Sequence, residues 1–244
     1  MVLPTFEEEV VDAYEFGLKA DLAGGRTRIN SAVFFYNYEG LQYQATDPEL
    51  FQGGVSNIPE SEIYGAEVEL STYLTDSMIL DANLSWIETE ITADHFALDN
   101  VQSDIATNAL LAQGVNQFSD QVQIARAAEI TNVKGNELAK TPNFTANLAL
   151  TWEGYVENWG ELTNSLQYIY RGDFKHRMFN NPLTDMVPDY EVLDFVLGFT
   201  PQSNNDLRFE FVAKNLTDED GTNARFTDVF GVGAPVSPNP KNAV

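Results

Sequence analysis

The chain has 244 residues, a formal charge of −24 at pH 7 and no cysteine. The missing cysteine excludes disulfide frameworks and thiolate metal sites, and the acidic excess would repel a phosphate backbone, so we expect no nucleic-acid partner. Uninterrupted apolar runs are far shorter than the roughly 20 residues of a membrane-spanning helix, and the first residues lack the pattern of an export signal.

Apolar and polar residues alternate with a period of two in eight segments of about ten residues, which predicts β-strands. In chain order the segments are Tyr14–Asp21, Arg26–Tyr43, Tyr64–Ser71, Met78–Glu88, Phe144–Glu153, Leu162–Arg171, Leu193–Phe199 and Leu207–Lys214. Arg26–Tyr43 is the least regular, because Val33, Phe34 and Phe35 put apolar groups on both faces. The pattern predicts one apolar and one polar face for the sheet.

The predicted connections between these strands are alternately short and long. The short ones are Ala23–Gly25, Thr75–Ser77, Gly154–Trp159 and Gln202–Asn205. The long ones are Gln44–Glu60, Thr92–Lys140, Asp173–Val187 and the stretch from Thr217 onward. Tight periplasmic turns and extended extracellular loops alternate in this way in outer-membrane barrels. The sequence therefore predicts an antiparallel transmembrane β-barrel wall whose first strand runs toward the periplasm.

Aromatic residues lie toward the strand ends, as interfacial girdles require. They include Tyr36, Tyr38, Trp86, Trp152, Tyr155, Trp159, Tyr168 and Tyr170.

Several short motifs occur in a fixed order along nearly the whole chain. They are Tyr14–Lys19 (YEFGLK), Arg28–Tyr38 followed by Leu41 and Gln42, Tyr64–Glu69 (YGAEVE), Thr141–Thr145 (TPNFT), Tyr170–Gly172 (YRG) and Lys214–Asp218 (KNLTD). Together they resemble the barrel strands of TonB-dependent receptors. The resemblance implies a 22-stranded barrel closed by an N-terminal plug, which imports iron–siderophore complexes, cobalamin, haem or sugars with energy from the TonB complex.

The chain departs from that family pattern in its extent. It has room for about eight strands, it shows no plug or TonB box, and Pro238–Val244 is not an aromatic-ended last strand. We therefore expect residues 1–244 to be a partial barrel domain without the plug and the last strand.

The partners and location that we expect follow from the resemblance. They are the lipid and lipopolysaccharide of a Gram-negative outer membrane, a small-molecule cargo such as a ferric siderophore, and the TonB–ExbB–ExbD complex, reached through the missing plug region.

Polar residues on the lumen side of the strands are the candidates for facing a transported substrate. They are Glu67, Glu69, Asp81, Asn83, Asn147, Arg171, Arg208 and Glu210. No catalytic, cofactor-binding or metal-binding residue is expected: His95 and His176 are the only histidines, and neither neighbours a nucleophile motif such as Gly-x-Ser-x-Gly. An enzyme is therefore not expected.

The loop Thr92–Lys140 is long enough to be functional, and Ser103–Leu111 and Gln121–Ile130 within it have helical character. Both a gate that responds to cargo and a surface loop that shields the barrel mouth are consistent with it.

Two other protein classes remain open. One is a complete eight-stranded barrel with a structural or adhesion role, although Pro235, Pro238 and Pro240 disfavour closure because proline cannot donate to a strand ladder. The other is a soluble acidic β-sandwich that binds carbohydrate.

Overall fold

The computed structural model describes residues 6–46, 53–204 and 206–222. Its long strands are β1 Val10–Leu22, β2 Thr27–Thr46, β3 Gly53–Thr75, β4 Met78–Ile91, β7 Phe144–Val156, β8 Gly160–Arg171, β11 Tyr190–Pro201 and β12 Phe209–Ala213. The shorter elements are β5 Phe96–Leu98, α1 Asn100–Ala112, α2 Asp120–Ala127, β6 Ile130–Asn132, β9 Phe174–Lys175 and β10 Met186–Val187. Neither α1 nor α2, the α-helices of the described part, is long and apolar enough for a membrane span.

The eight long strands form one antiparallel sheet in the order β1-β2-β3-β4-β7-β8-β11-β12. Each long strand pairs with the long strands before and after it in the chain, which confirms the eight predicted strands and their antiparallel arrangement. Among the described residues β1 and β12 do not pair with each other, so the sheet is open. This arrangement agrees neither with a closed eight-stranded barrel nor with the two stacked sheets of a sandwich. The prolines of the predicted tail lie outside the described residues.

The two faces of the sheet differ in polarity, as the alternation predicts. One row of paired residues on the apolar face, here called the outer face, comprises Ala20, Ile29, Leu70, Ala82, Leu148, Tyr168 and Leu193. The adjacent row on the opposite or inner face comprises Lys19, Asn30, Glu69, Asn83, Asn147, Ile169 and Val192. Because register is continuous across seven strands, the polar side chains of distant segments lie side by side.

The predicted long loop Gln44–Glu60 is wrong in its bounds. The β2–β3 hairpin continues to the pair Thr46–Gly53, so residues 44–46 and 53–60 are strand. Gly40 in β2 has a φ of +69°. Near it, the buried side chains of β3 change from an odd-numbered position, Ser61, to an even-numbered one, Ile58. Alternation is therefore broken there, and backbone pairing extends the hairpin without a regular pattern in its side chains.

The two long segments 92–143 and 172–189 pack together at the end of the sheet that carries the extended hairpin; we call them the cap. Their buried core joins residues that are far apart in the chain: Ile58, Ile91, Ala97, Val133, Leu138 and Met178. The predicted helices are present as α1 and α2, but Ile130 begins β6 and does not end a helix. Asp99 and Ser119 begin the helices by accepting backbone N–H bonds in the first turn.

Arg177, whose side chain is 15% exposed, connects the two segments of the cap through ion pairs. Arg177 Nη1 lies 2.7 Å from Asp99 Oδ1, and its Nη2 lies 2.6 Å from Asp185 Oδ1. The side chain of Asp185 is fully buried and that of Asp99 is 6% exposed. Since Asp99 also begins α1, the ion pairs connect the start of that helix to the segment 172–189.

Candidate functional site

The inner face carries a shallow concavity of about 430 Å³ across β3, β4, β7, β8 and the start of β11. Its lining includes five predicted substrate-facing residues: Glu67, Glu69, Asn83, Asn147 and Arg171. We call this surface the inner-wall concavity. Strand pairing explains its composition, because Glu69 lies opposite Asn83 and Asn83 lies opposite Asn147.

Hydrogen bonds between strands hold two of these polar groups in place. Asn30 Nδ2 donates to Glu69 Oε2 at 3.1 Å, and Gln167 Nε2 donates to Asn147 Oδ1 at 3.0 Å. A side chain fixed in this way loses less conformational entropy when it meets a ligand. The concavity thus combines carboxylate and amide groups with apolar neighbours such as Ile169, and strand-to-strand hydrogen bonds fix the positions of Glu69 and Asn147.

Arg171 is held by the residues around it. Its guanidinium carbon lies 4.4 Å from the centre of the Tyr190 ring and 4.8 Å from that of Phe174. Its Nη2 donates to the backbone oxygen of Thr222 at 2.7 Å. These contacts anchor the segments that flank β8 and β11, so Arg171 has a structural role beside any contact with a substrate.

The other three predicted residues lie on the inner face but outside the concavity. Asp81 pairs opposite Ser71 and Ala149, nearer the short turn Thr75–Ser77. Arg208 Nε donates to Glu210 Oε1 at 2.9 Å, and both side chains are more than half exposed beside the edge strand β12. The structure therefore gathers five of the candidates and separates Asp81, Arg208 and Glu210 from them.

Some lining residues are absent from the predicted set. Ser85 pairs opposite Glu67, and Thr145 pairs opposite Arg171. Each lies two residues from a predicted residue on its own strand, Asn83 or Asn147, so strict alternation would have identified both. Tyr190 also lines the concavity, but it lies between the predicted loop Asp173–Val187 and the predicted strand Leu193–Phe199, where the sequence shows no alternation. Its place depends on its pairing with Arg171.

Within the described ranges, no group of three or more His, Asp or Glu side chains is arranged to hold a metal ion. Both histidines lie in the cap. His95 Nε2 is 2.8 Å from the Tyr43 hydroxyl, and the backbone N–H of His176 donates to the carbonyl of Asp185.

Comparison with a protein family agrees with this geometry. The sequence model of the family described as "TonB dependent receptor-like, beta-barrel" matches residues 2–216.

Solved structures show the same fold. The ferric yersiniabactin uptake receptor FyuA from Yersinia pestis superimposes with a TM-score of 0.61 at 16% identity, over 90% of this chain and 27% of that one. The siderophore receptor PiuA from Acinetobacter baumannii gives 0.59 at 18% identity, over 86% and 24%. The copper transporter OprC gives 0.59 at 14% identity, over 95% and 29%. The chain thus spans about a quarter of the length of these proteins.

Proposed function

The chain belongs to the family of TonB-dependent receptor β-barrels, and from this premise we propose that it forms part of the wall of an outer-membrane receptor that imports a scarce nutrient, such as an iron–siderophore complex. Proteins of this family are transporters of the Gram-negative outer membrane and are not enzymes. The proposal adds to this transport activity a particular kind of cargo, an iron–siderophore complex.

The observation that carries the proposal is the polarity of one continuous sheet. The outer face presents Leu, Ala and aromatic side chains, as lipid requires, and the inner face presents carboxylates and amides around the concavity. In a transporter the inner face is the wall along which the cargo passes. We propose that Glu67, Glu69, Asn83 and Asn147 face the cargo, with Asp81, Arg171, Arg208 and Glu210 on the same wall.

We further propose that strands outside the 244 residues complete the barrel. Within residues 6–46, 53–204 and 206–222, β1 and β12 each have one edge without a partner strand, which leaves backbone N–H and C=O groups unpaired and is unfavourable in lipid. Contacts with a plug and, through it, with TonB, ExbB and ExbD would involve those other parts, while the outer face would meet lipid and lipopolysaccharide.

Uptake by whole cells tests the function. The complete receptor is expressed in a strain that lacks its own iron receptors, and the uptake of radioactive iron from a panel of ferric siderophores is measured with and without functional TonB. Saturable uptake of one complex that depends on TonB is expected. If no complex is taken up, or if uptake is equal without TonB, the proposed cargo or the proposed energy source is wrong.

A further inference from the structure

The cap packs against the inner face of the sheet and leaves the outer face open. Pairing of β3 with β4 is unbroken from the inner-wall concavity to the ends of both strands, so Ser61, Thr89 and Ile91 belong to the inner face. Their side chains are at most 8% exposed, whereas Glu90, beside them on the outer face, is exposed. The backbone N–H of Leu138, in the cap, donates to Thr89 Oγ1 at 2.9 Å. The inner face is therefore the covered one.

This position makes the cap a roof above the inner-wall concavity. Thr89 lies four residues along β4 from Ser85, which lines the concavity. A strand rises by about 3.3 Å per residue, so the roof begins about 13 Å beyond that lining residue. A molecule that approaches the concavity from this end of the sheet must either pass beside the roof or displace it. The strength of the contacts around the cap decides between these two routes.

Side chains join the two segments of the cap to each other at two places. At the first, Arg177 of the segment 172–189 forms its ion pair with Asp99 of the segment 92–143. At the second, the amide of Asn180 pairs with the backbone of Glu137: Glu137 N donates to Asn180 Oδ1 at 2.8 Å, and Asn180 Nδ2 donates to Glu137 O at 3.0 Å. Neither segment can therefore move away from the other without breaking charge-assisted and paired hydrogen bonds.

A second set of contacts attaches the cap to the sheet. Gly135 N donates to Ile91 O at 2.8 Å, and Ile91 N donates to Asn136 O at 2.9 Å, so the segment around residue 135 bonds to the backbone at the end of β4. On the extended hairpin, the Tyr43 hydroxyl lies 2.8 Å from His95 Nε2. Displacement of the cap would break these bonds and expose the cap core to water. Segments that are buried and hydrogen-bonded in this way open rarely.

We propose that the cap is a fixed roof that stays closed during transport, and not a gate that responds to cargo. A gate requires an open state that is populated to a measurable fraction, and the cap has bonds to the sheet, bonds between its segments and a closed core that all oppose such a state. Cargo then enters beside the roof, through the part of the mouth that strands outside residues 1–244 surround. This route rests on the proposed transport function, whereas the closed state of the cap does not.

Hydrogen exchange of the complete receptor tests the closed state without any cargo. The amides of residues 133–140 should exchange at least about tenfold more slowly than those of residues 116–118, which are exposed in the connection between α1 and α2. A smaller difference would show that the cap opens freely and would overturn the proposal.

A crosslink between the cap and the hairpin tests whether the roof moves during uptake. Gln44 and Phe96 are both exposed and line the same hollow of about 220 Å³ between the hairpin and the cap. Residues 1–244 contain no cysteine, so after replacement of any cysteine elsewhere in the receptor, Gln44→Cys and Phe96→Cys can be joined by a short bismaleimide. A joined peptide in a digest verifies the link.

The matched control is the receptor with Phe96→Cys alone, treated with the same reagent, which carries the added group without a link. Uptake of iron from the panel of ferric siderophores should proceed in the linked receptor at no less than half the rate of this control. A lower rate would mean that the cap has to move and would overturn the fixed roof.

The two measurements separate the roof from the transport function. If no complex is taken up even by the unlinked receptor, the transport function is wrong, and hydrogen exchange alone decides whether the cap is fixed. If the control takes up iron and the linked receptor does not, the transport function stands and the fixed roof is wrong.

Discussion

The side-chain amide of Asn57 pairs with the backbone of Glu7. Glu7 N donates to Asn57 Oδ1 at 2.8 Å, and Asn57 Nδ2 donates to Glu7 O at 3.1 Å. The same Nδ2 donates to Gly40 O at 2.6 Å. One side chain of β3 thereby ties the segment before β1 to β2 where the latter is distorted by a positive φ.

Replacing Asn57 with Leu should therefore loosen the segment before β1. The change removes three hydrogen bonds, each worth about 0.5–1.5 kcal/mol net, at partly exposed positions. Hydrogen exchange of the complete receptor should show faster exchange at residues 7–10 and 40–42. Asn116→Leu, in an exposed turn of the cap, is the control and should leave those amides unchanged. Equal protection in the wild type and Asn57→Leu would contradict this role.

Arg177→Met should unfold or loosen the cap. It leaves the buried carboxylates of Asp185 and Asp99 without their cation, a change that costs about 3–5 kcal/mol when one partner of a buried pair is removed. Limited proteolysis of the cap measures the effect. Arg26→Met is the matched control, since Arg26 pairs with Asp76 at the same 2.7 Å but in an exposed turn, where loss should cost at most about 1 kcal/mol. Similar cleavage of both variants would refute the distinction.

The cap should lose stability as the pH falls below about 6.5. Burial lowers the pKa of His95 from 6.5, so the unfolded cap takes up its proton at a higher pH than the folded cap does. The stability that neutral His95 contributes is present above about pH 6.5 and declines as the pH falls toward the lower pKa of the folded state. Leu183→Cys places a fluorescent label on the cap, since residues 1–244 contain no cysteine of their own, and thermal unfolding is followed with it at several pH values. His95→Gln in the same background should flatten the pH profile; an unchanged profile would assign the effect to another group.

Gly65→Ala should destabilise the sheet where Gly17→Ala does not. A Cβ at Gly65 would clash with the backbone oxygen of Trp86 and would lie 2.7 Å from Phe34 Cζ. Such overpacking costs about 1–3 kcal/mol. At Gly17 the nearest atom is the backbone oxygen of Ser31 at 3.5 Å, an ordinary contact. Thermal unfolding of the two variants compares them directly, and an equal melting temperature would show that β3 and β4 move apart easily.

Asn147→Leu should raise the KM of uptake about three- to tenfold at unchanged receptor abundance, if the concavity contacts cargo. The change removes an amide that Gln167 holds in place on the inner wall. Thr151→Leu serves as control, because Thr151 lies on the same face and also bonds to a neighbouring strand, at Ser165, but is outside the concavity. An unchanged KM for Asn147→Leu would remove this residue from the substrate-facing set.

The sequence predicted the sheet well because lipid on one face and water on the other impose a strict alternation. Segments such as Met78–Glu88 and Phe144–Glu153 therefore have the strands and faces that the structure shows. The same rule predicted that Glu69, Asn83 and Asn147 would share a face, and continuous register brings them into one row.

The rule fails where both faces of a strand meet protein or water. The hairpin beyond Tyr43 has no alternation to detect, so residues 44–46 and 53–60 were predicted as part of a loop. The cap core joins Ile58, Val133 and Met178, whose contact depends on chain segments far apart in the sequence. Arg171 was predicted as a wall residue. Its contacts with Tyr190 and Thr222 depend on the path of the chain after β8, which the alternation of residues within a strand does not predict.

The composition of the cap core has a consequence for the order of folding. Ile58 and Ile91 belong to β3 and β4, whereas Met178 follows β8, so the core cannot close until the intervening strands have been brought together. Contacts of such separation in sequence form slowly, because the loop between them must first be ordered. The cap is therefore a late product of assembly, and a receptor that stalls before β8 is in place carries residues 92–143 as an open, protease-sensitive segment.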